Sequence, residues 1–252
     1  MEPSIWLVGL LAFGLSFIFA LGGTGSALVL VPILHWLGFP LNEAKPTCLF
    51  INALSMTGGS VSNFKHKRLD FSLALPIMIP AVCLSPVGAY VSTLISTRLV
   101  LEIFAAFLLF AGLMMLFFKR TKYQEQHRED RPIFLLGGIG VLSGFLSGLL
   151  GVGGGALIAP LMIFLGYNPK KVTTVTACVV PFLSFTGFIA YWTMGFINLK
   201  LLAVVAIAAY AGGFMGTHFM HTNLKPSTVK KFLGLVVLAV AFKILLKLFG
   251  VF

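Results

Sequence analysis

The chain has 252 residues, 58% of them hydrophobic and 10% charged, with a mean hydropathy of +1.02. A soluble domain carries about 25% charged residues, so this composition excludes a soluble enzyme and a disordered chain and leaves an integral membrane protein. Eighteen basic residues against seven acidic ones give a net charge of +11. No basic run is interleaved with aromatics as a nucleic-acid groove requires, so the excess reads as the cytoplasmic flanks of spanning helices.

Apolar segments run at 5–37, 44–64, 71–96, 98–118, 133–165, 172–194, 199–220 and 226–250. They are apolar on all sides, as lipid-facing helices are, and lack the period-two alternation of β-barrel strands. The expected fold is therefore an all-α polytopic membrane protein. The first and fifth segments are each about 33 residues long, some 50 Å as straight helix against a hydrocarbon core of about 30 Å. Both are interrupted by glycines, Gly22-Gly23-Thr24-Gly25 in one and Gly151-Val152-Gly153-Gly154-Gly155 in the other. Neither is expected to be one straight crossing. The one long polar stretch is Lys119 to Arg131. Cys48, Cys83 and Cys178 lie inside apolar segments and read as small packing residues.

An internal repeat with an offset of 128 residues aligns Gly23 with Gly151, Gly25 with Gly153, Pro32 with Pro160, Gly38 with Gly166, Gly59 with Gly187 and Gly88 with Gly216. Small residues recur on the same schedule, Ala12, Ser16 and Ala20 against Gly140, Gly144 and Gly148. A spacing of four puts each set on one helix face, where backbones can approach closely. The expected organisation is a first transmembrane repeat over 1–118, a basic linker at 119–132 and a second repeat over 133–252. Each repeat has a glycine-broken first segment plus three spanning helices. If all eight segments cross, the 18 basic residues divide 11 to 7 between the two sides. If the broken segments are re-entrant, they divide 13 to 5, with Lys45, Arg98, Lys200, Lys243 and Lys247 on the poorer side. The second division favours an inverted repeat.

A broken helix leaves backbone N–H groups free where its second half begins, and these attract an anion together with the helix dipole. In lipid, such backbone is tolerated only inside protein or beside a water-filled cavity. Gly23, Thr24, Gly25 and Ser26 from the first break, with Gly151, Gly153, Gly154 and Gly155 from the second, are thus candidates to bind substrate. The plainer alternative is that these glycines only permit close packing. The polar second and sixth segments supply Asn52, Ser55, Thr176 and Ser184, since polar side chains within a membrane face a pathway or another helix. Asn52 stands out because a buried amide needs partners, and for the hydroxyls the alternative is back-bonding within their own helix.

No carboxylate lies mid-segment, which argues against a carboxylate proton relay and for an anion path. His35, His66, His218 and His221 read as loop or interface residues. Gly151 to Ala156 fits a G-x-G-x-x-A pattern but follows an apolar helix where a dinucleotide site requires a strand. No His-Glu pair begins a zinc-protease motif, and paired intramembrane aspartates are missing. An enzyme is not expected, nor is any cofactor, metal or nucleic-acid partner. The expected partners are a small anionic substrate and the lipid bilayer.

The segments Gly22-Gly23-Thr24-Gly25-Ser26-Ala27-Leu28-Val29-Leu30-Val31-Pro32 and Gly148-Leu149-Leu150-Gly151-Val152-Gly153-Gly154-Gly155-Ala156-Leu157-Ile158-Ala159-Pro160 resemble the two signatures of the TauE/SafE family. The second copy matches closely. The first has Thr24 and Ser26 where the pattern favours apolar and glycine residues. The likeness extends over nearly the whole chain, including the Lys65 to Asp70 turn and the Leu-Gly pairs at 37–38 and 165–166. It implies a multi-pass inner-membrane transporter, with members linked to export of sulfite, sulfoacetate or related sulfur-containing anions. The resulting expectation is an exporter of small sulfur-containing anions bound between the two glycine-rich breaks. An anion channel or uniporter and a non-transporting membrane scaffold are the alternatives.

Overall fold

The computed structural model describes residues 5–20, 26–65, 70–117, 130–167 and 169–195, and within the last part of the chain residues 202–203, 205–213, 215, 235 and 237–246. Regular structure among these residues is entirely helical. In chain order the helices are α1 (Ile5–Ala20), α2 (Ala27–Trp36), α3 (Leu41–Lys65), α4 (Phe71–Leu94), α5 (Thr97–Phe117), α6 (Ile133–Leu150), α7 (Gly155–Phe164) and α8 (Pro169–Thr193). Further helix lies at 205–213 (α9) and Val237–Leu246 (α10). Four stretches are long and apolar enough to cross a membrane, Phe71–Leu94, Thr97–Met114, Ile133–Leu150 and Thr174–Thr193. Large apolar side chains cover the outside, Phe134 at 97% exposure and Ile207 at 77%, as lipid contact demands.

The tightest packing joins α4 to α6. Gly140, Gly144 and Gly148 face Ile77, Ala81 and Ser85 in order, so the two helices run parallel. A Cβ on Gly148 would lie 1.8 Å from the Ser85 carbonyl oxygen, and one on Gly144 would lie 2.3 Å from that of Ala81. Lipid tails are as apolar as leucine, so burial supplies no drive here. Backbone-to-backbone van der Waals contact, permitted by missing side chains, holds the pair.

The second long contact joins α3 to α8. Asn52 meets Ser184, Leu49 lies against Gly187, and Ser60 donates to the Ala177 carbonyl. Rising numbers on α3 meet falling numbers on α8, so these helices are antiparallel. The apolar core falls into two principal clusters. One gathers α1, α2, α5, α9, α10, most of the core of α3 and the end of α6, and the other gathers α4, α8, the start of α6 and Met56 of α3. Helix α7 contributes to both, Ala156 and Leu157 to the first and Ile158 and Met162 to the second.

Structure and expectation agree at one boundary and differ at another. The fifth segment is not continuous: α6 ends at Leu150, residues 151–154 are not helical, and α7 begins at Gly155. The chain then turns back. Gly154 sits beside Ser143, and the Tyr167 hydroxyl beyond α7 donates to the Asp130 carbonyl before α6 at 2.8 Å. The difference is at α3, which starts at Leu41 instead of near 44. The amides of Glu43 and Ala44 bond to the Pro40 carbonyl at 2.9 and 3.0 Å. That turn carries Lys45 into the helix, where it is 1% exposed. Lys45, assigned by the charge count to one membrane side, is thus a buried helix residue: helix formation around Pro40 outweighs the local polarity of Asn42 and Glu43.

Candidate substrate-binding site

Three left-handed glycines make the turn between α6 and α7. Gly151 caps α6 with φ +76°, its amide on the Ser147 carbonyl at 2.8 Å, and Gly153 and Gly154 follow at +77° and +66°. An L side chain in that region costs about 1–2 kcal/mol, so three such residues within four positions specify a break. The Gly154 carbonyl accepts from Leu157 and Ile158 at 3.0 and 3.1 Å and so starts α7, while the Gly155 amide donates to the Gly153 carbonyl at 2.8 Å. The turn thus takes up the Gly155 and Leu157 amides itself and leaves that of Ala156 at the positive dipole end of α7. Every residue from 151 to 158 is buried.

Helix α3 lies across this turn. A Cβ on Gly151 would come within 2.7 Å of the Lys45 Cβ. On Gly153 it would lie 1.9 Å from Asn52 Nδ2 and 2.9 Å from Ser184 Oγ. Asn52 Nδ2 in turn donates to Ser184 Oγ at 3.1 Å. Gly153, Asn52 and Ser184 thus meet at one point from three helical elements. The Asn52 Oδ1, Ser55 Oγ and Ser147 Oγ atoms are buried without a hydrogen-bond partner. An unmet buried polar atom costs about 1–3 kcal/mol, and all three belong to the elements that converge on this turn.

The remaining nominated residues are placed less centrally. Ser26 is buried and shares a 3.1 Å hydrogen bond with Ser16, and its carbonyl starts α2. Ser55 lies one turn beyond Asn52 against Gly213. Thr176 is two turns from Ser184 and donates to the Val172 carbonyl of its own helix at 2.8 Å. Gly23, Thr24 and Gly25 lie outside the described residues, as do His66, His218 and His221. His35 is part-buried, 3.4 Å from the Phe39 carbonyl.

Sequence reasoning missed a second polar group beside the turn. Lys45 Nζ donates to Ser92 Oγ of α4. On α8, the buried Tyr191 hydroxyl donates to the Gly148 carbonyl at 3.0 Å. The available signal was spacing: Lys45 and Asn52 on α3, like Ser184 and Tyr191 on α8, are seven residues apart and share a helix face.

Residues 8–244 match the family described as Sulfite exporter TauE/SafE. The chain belongs to the TauE/SafE family. A Bacillus subtilis relative, "Probable membrane transporter protein YjnA", is 31% identical over 97% of this chain and 100% of its own length. Another from the same organism, "Probable membrane transporter protein YunE", is 24% identical over 86% of this chain and 89% of its own. An Arabidopsis thaliana protein named "Sulfite exporter TauE/SafE family protein 1" is 29% identical over 36% of this chain and 19% of its own. TauE/SafE is a membrane transporter family and not an enzyme family.

One end of this TauE/SafE chain carries an ion-pair cluster outside the spans. Asp70, before α4, meets Lys171 at 3.0 Å, Arg131 at 3.4 Å and the Ser72 hydroxyl at 2.5 Å. Burial by itself raises the Asp70 carboxyl. The Ser72 and Lys171 hydrogen bonds and the Lys171 and Arg131 charges outweigh it and hold the group at about 2. The cluster ties the starts of α4, α6 and α8 to one end of the molecule.

Proposed function

We propose that this chain is an inner-membrane exporter of small sulfur-containing anions such as sulfite or organosulfonates, bound at the glycine-rich breaks. The observation that carries the reading is the buried 151–154 turn seated on Asn52 and Ser184. There, the Asn52 amide, the Ser184 hydroxyl, the Ala156 amide and the positive end of α7 offer hydrogen-bond donors to an oxyanion. The sulfur assignment is supported by the description of the family and the name of the Arabidopsis relative.

The same reading takes the chain as two transmembrane repeats, 1–118 and 133–252, joined by the basic linker 119–132 and inverted relative to each other. Several features support it. Helices α2 and α7 start 128 residues apart, as do α3 and α8, and α3 and α8 have 25 residues each. Gly38 and Gly166 share φ 95°. The antiparallel crossing of α3 and α8 is the relation expected between equivalent helices of inverted repeats. The return of α7 toward the start of α6, together with the meeting of Asp70, Arg131 and Lys171, agrees with a re-entrant fifth segment. Alternating access then arises from rocking of one repeat against the other around the breaks.

Flux of radiolabelled sulfite into proteoliposomes, with and without an imposed pH gradient, tests the proposal. Saturable flux, absent from protein-free vesicles, is expected. Failure to move sulfite, thiosulfate or any organosulfonate would overturn the substrate assignment.

A further inference from the structure

Lys45 is a buried lysine with no carboxylate beside it among the described residues. It is 1% exposed, its stem lies against Gly151, and its ammonium donates to the neutral Ser92 hydroxyl. An ammonium has three N–H donors. Among the described residues no carboxylate is within ion-pairing distance of it. Asp70 pairs with Arg131 and Lys171, and Glu102 with Arg98. Asp130 lies at the start of α6, by Tyr167. Glu43 is two positions away on the same helix and so points to a different face. An unpaired charge in a protein interior costs several kcal/mol, and within a membrane such residues mark substrate or ion pathways.

Its position supplies the rest. Lys45 and Asn52 stand about 10 Å apart along one face of α3, and the turn fits between them, Gly151 on Lys45 and Gly153 on Asn52. A ligand at the turn would have a full positive charge on one side and amide and hydroxyl groups on the other.

We propose that the Lys45 ammonium is the counter-charge for the transported anion, exchanging its bond to Ser92 for one to an anion oxygen, so that the site selects singly charged oxyanions over neutral molecules of the same shape. This rests on the reading of the 151–154 turn as the anion site. Ser92 serves as the resting partner that accepts one bond from the ammonium between transport events.

The test measures ligand-induced thermal stabilisation of the full-length purified protein, using sulfite and methanesulfonate with methanesulfonamide as the neutral mimic. Nitrate and chloride complete the panel. Wild type is expected to respond to the anions and not to methanesulfonamide. Lys45→Met should weaken anion binding at least about tenfold, the loss expected for one charge-assisted hydrogen bond. Its ligand-free melting temperature should equal or exceed that of wild type, because an uncompensated buried charge is gone. Lys45→Arg, which keeps the charge, should retain the preference for anions over methanesulfonamide. Ser92→Ala, which removes the competing acceptor, should tighten anion binding severalfold, a direction that a merely structural lysine would not produce, and it serves as the test if Lys45→Met does not fold. Unchanged anion affinity in Lys45→Met, or weakened affinity in Ser92→Ala, would overturn the proposal. If wild type responds only to nitrate or chloride and Lys45→Met loses that response, Lys45 stands and the sulfur assignment falls. If wild type responds to none of these anions, both fall.

Discussion

The α4–α6 interface and the α6–α7 turn are built from the same residue and do opposite things with it. In α6, Gly140, Gly144 and Gly148 keep helical geometry and remove side chains so that two backbones touch. Three residues later, Gly151, Gly153 and Gly154 have positive φ and remove the helix itself. The first set makes a dry contact whose energy is van der Waals packing. The second brings irregular backbone into the interior, against Asn52, Ser184 and Lys45, where the Asn52 Oδ1 atom lacks a partner. A glycine in a membrane helix is therefore informative through its backbone angle: packing where φ is helical, a break or a helix end where it is left-handed, as at Gly38 and Gly166 too.

The sharpest separation of the two regions comes from filling one glycine in each. Gly148→Leu is expected to prevent folding, because the new Cβ meets a carbonyl oxygen at 1.8 Å and neither helix can give way. Monodispersity on size-exclusion chromatography reads this out. Gly153→Leu meets the end of the Asn52 side chain, which can move. It should yield folded, membrane-inserted protein whose sulfite flux is abolished. Normal flux in Gly153→Leu would put the turn back among packing devices.

A smaller effect probes the partner of the turn. Asn52→Leu replaces an incompletely paired amide with an apolar group of similar size, so stability should change little, while flux should fall about tenfold for the lost hydrogen bond. Unchanged flux with raised stability would mean that Asn52 only joins α3 to α8. The smallest effect lies outside both regions. The Asp70 carboxyl is held at about 2, below the value of about 3.9 for an unfolded chain. Its contribution is therefore complete above about pH 4 and is lost as pH falls toward 2. Asp70→Asn should flatten that acid limb of thermal stability and lower the neutral-pH melting temperature by no more than about 2–4 °C, with transport unaffected.

Much of the architecture was legible in the chain because lipid imposes simple rules. Apolar runs must be helices, and a 33-residue run interrupted by Gly151, Gly153 and Gly154 cannot be one of them. Asn52 and Ser184 could be nominated separately as costly polar residues, but nothing local pairs them, since 132 positions intervene and only the crossing of α3 with α8 closes that distance. Lys45 was not nominated for the opposite reason. Beside Asn42 and Glu43, near a segment end, it resembles any loop lysine, and its burial depends on α4 and the end of α6 closing around it.

The sequence by itself determined that the protein is helical and membrane-embedded, with its second long segment broken at 151–154, because hydrophobicity and glycine stereochemistry act over a few residues. Only the tertiary structure decided which faces meet: Gly148 on α4, Gly153 on Asn52, Lys45 on Ser92. Those choices depend on how closely backbones can approach, a property of pairs of helices that no single segment contains.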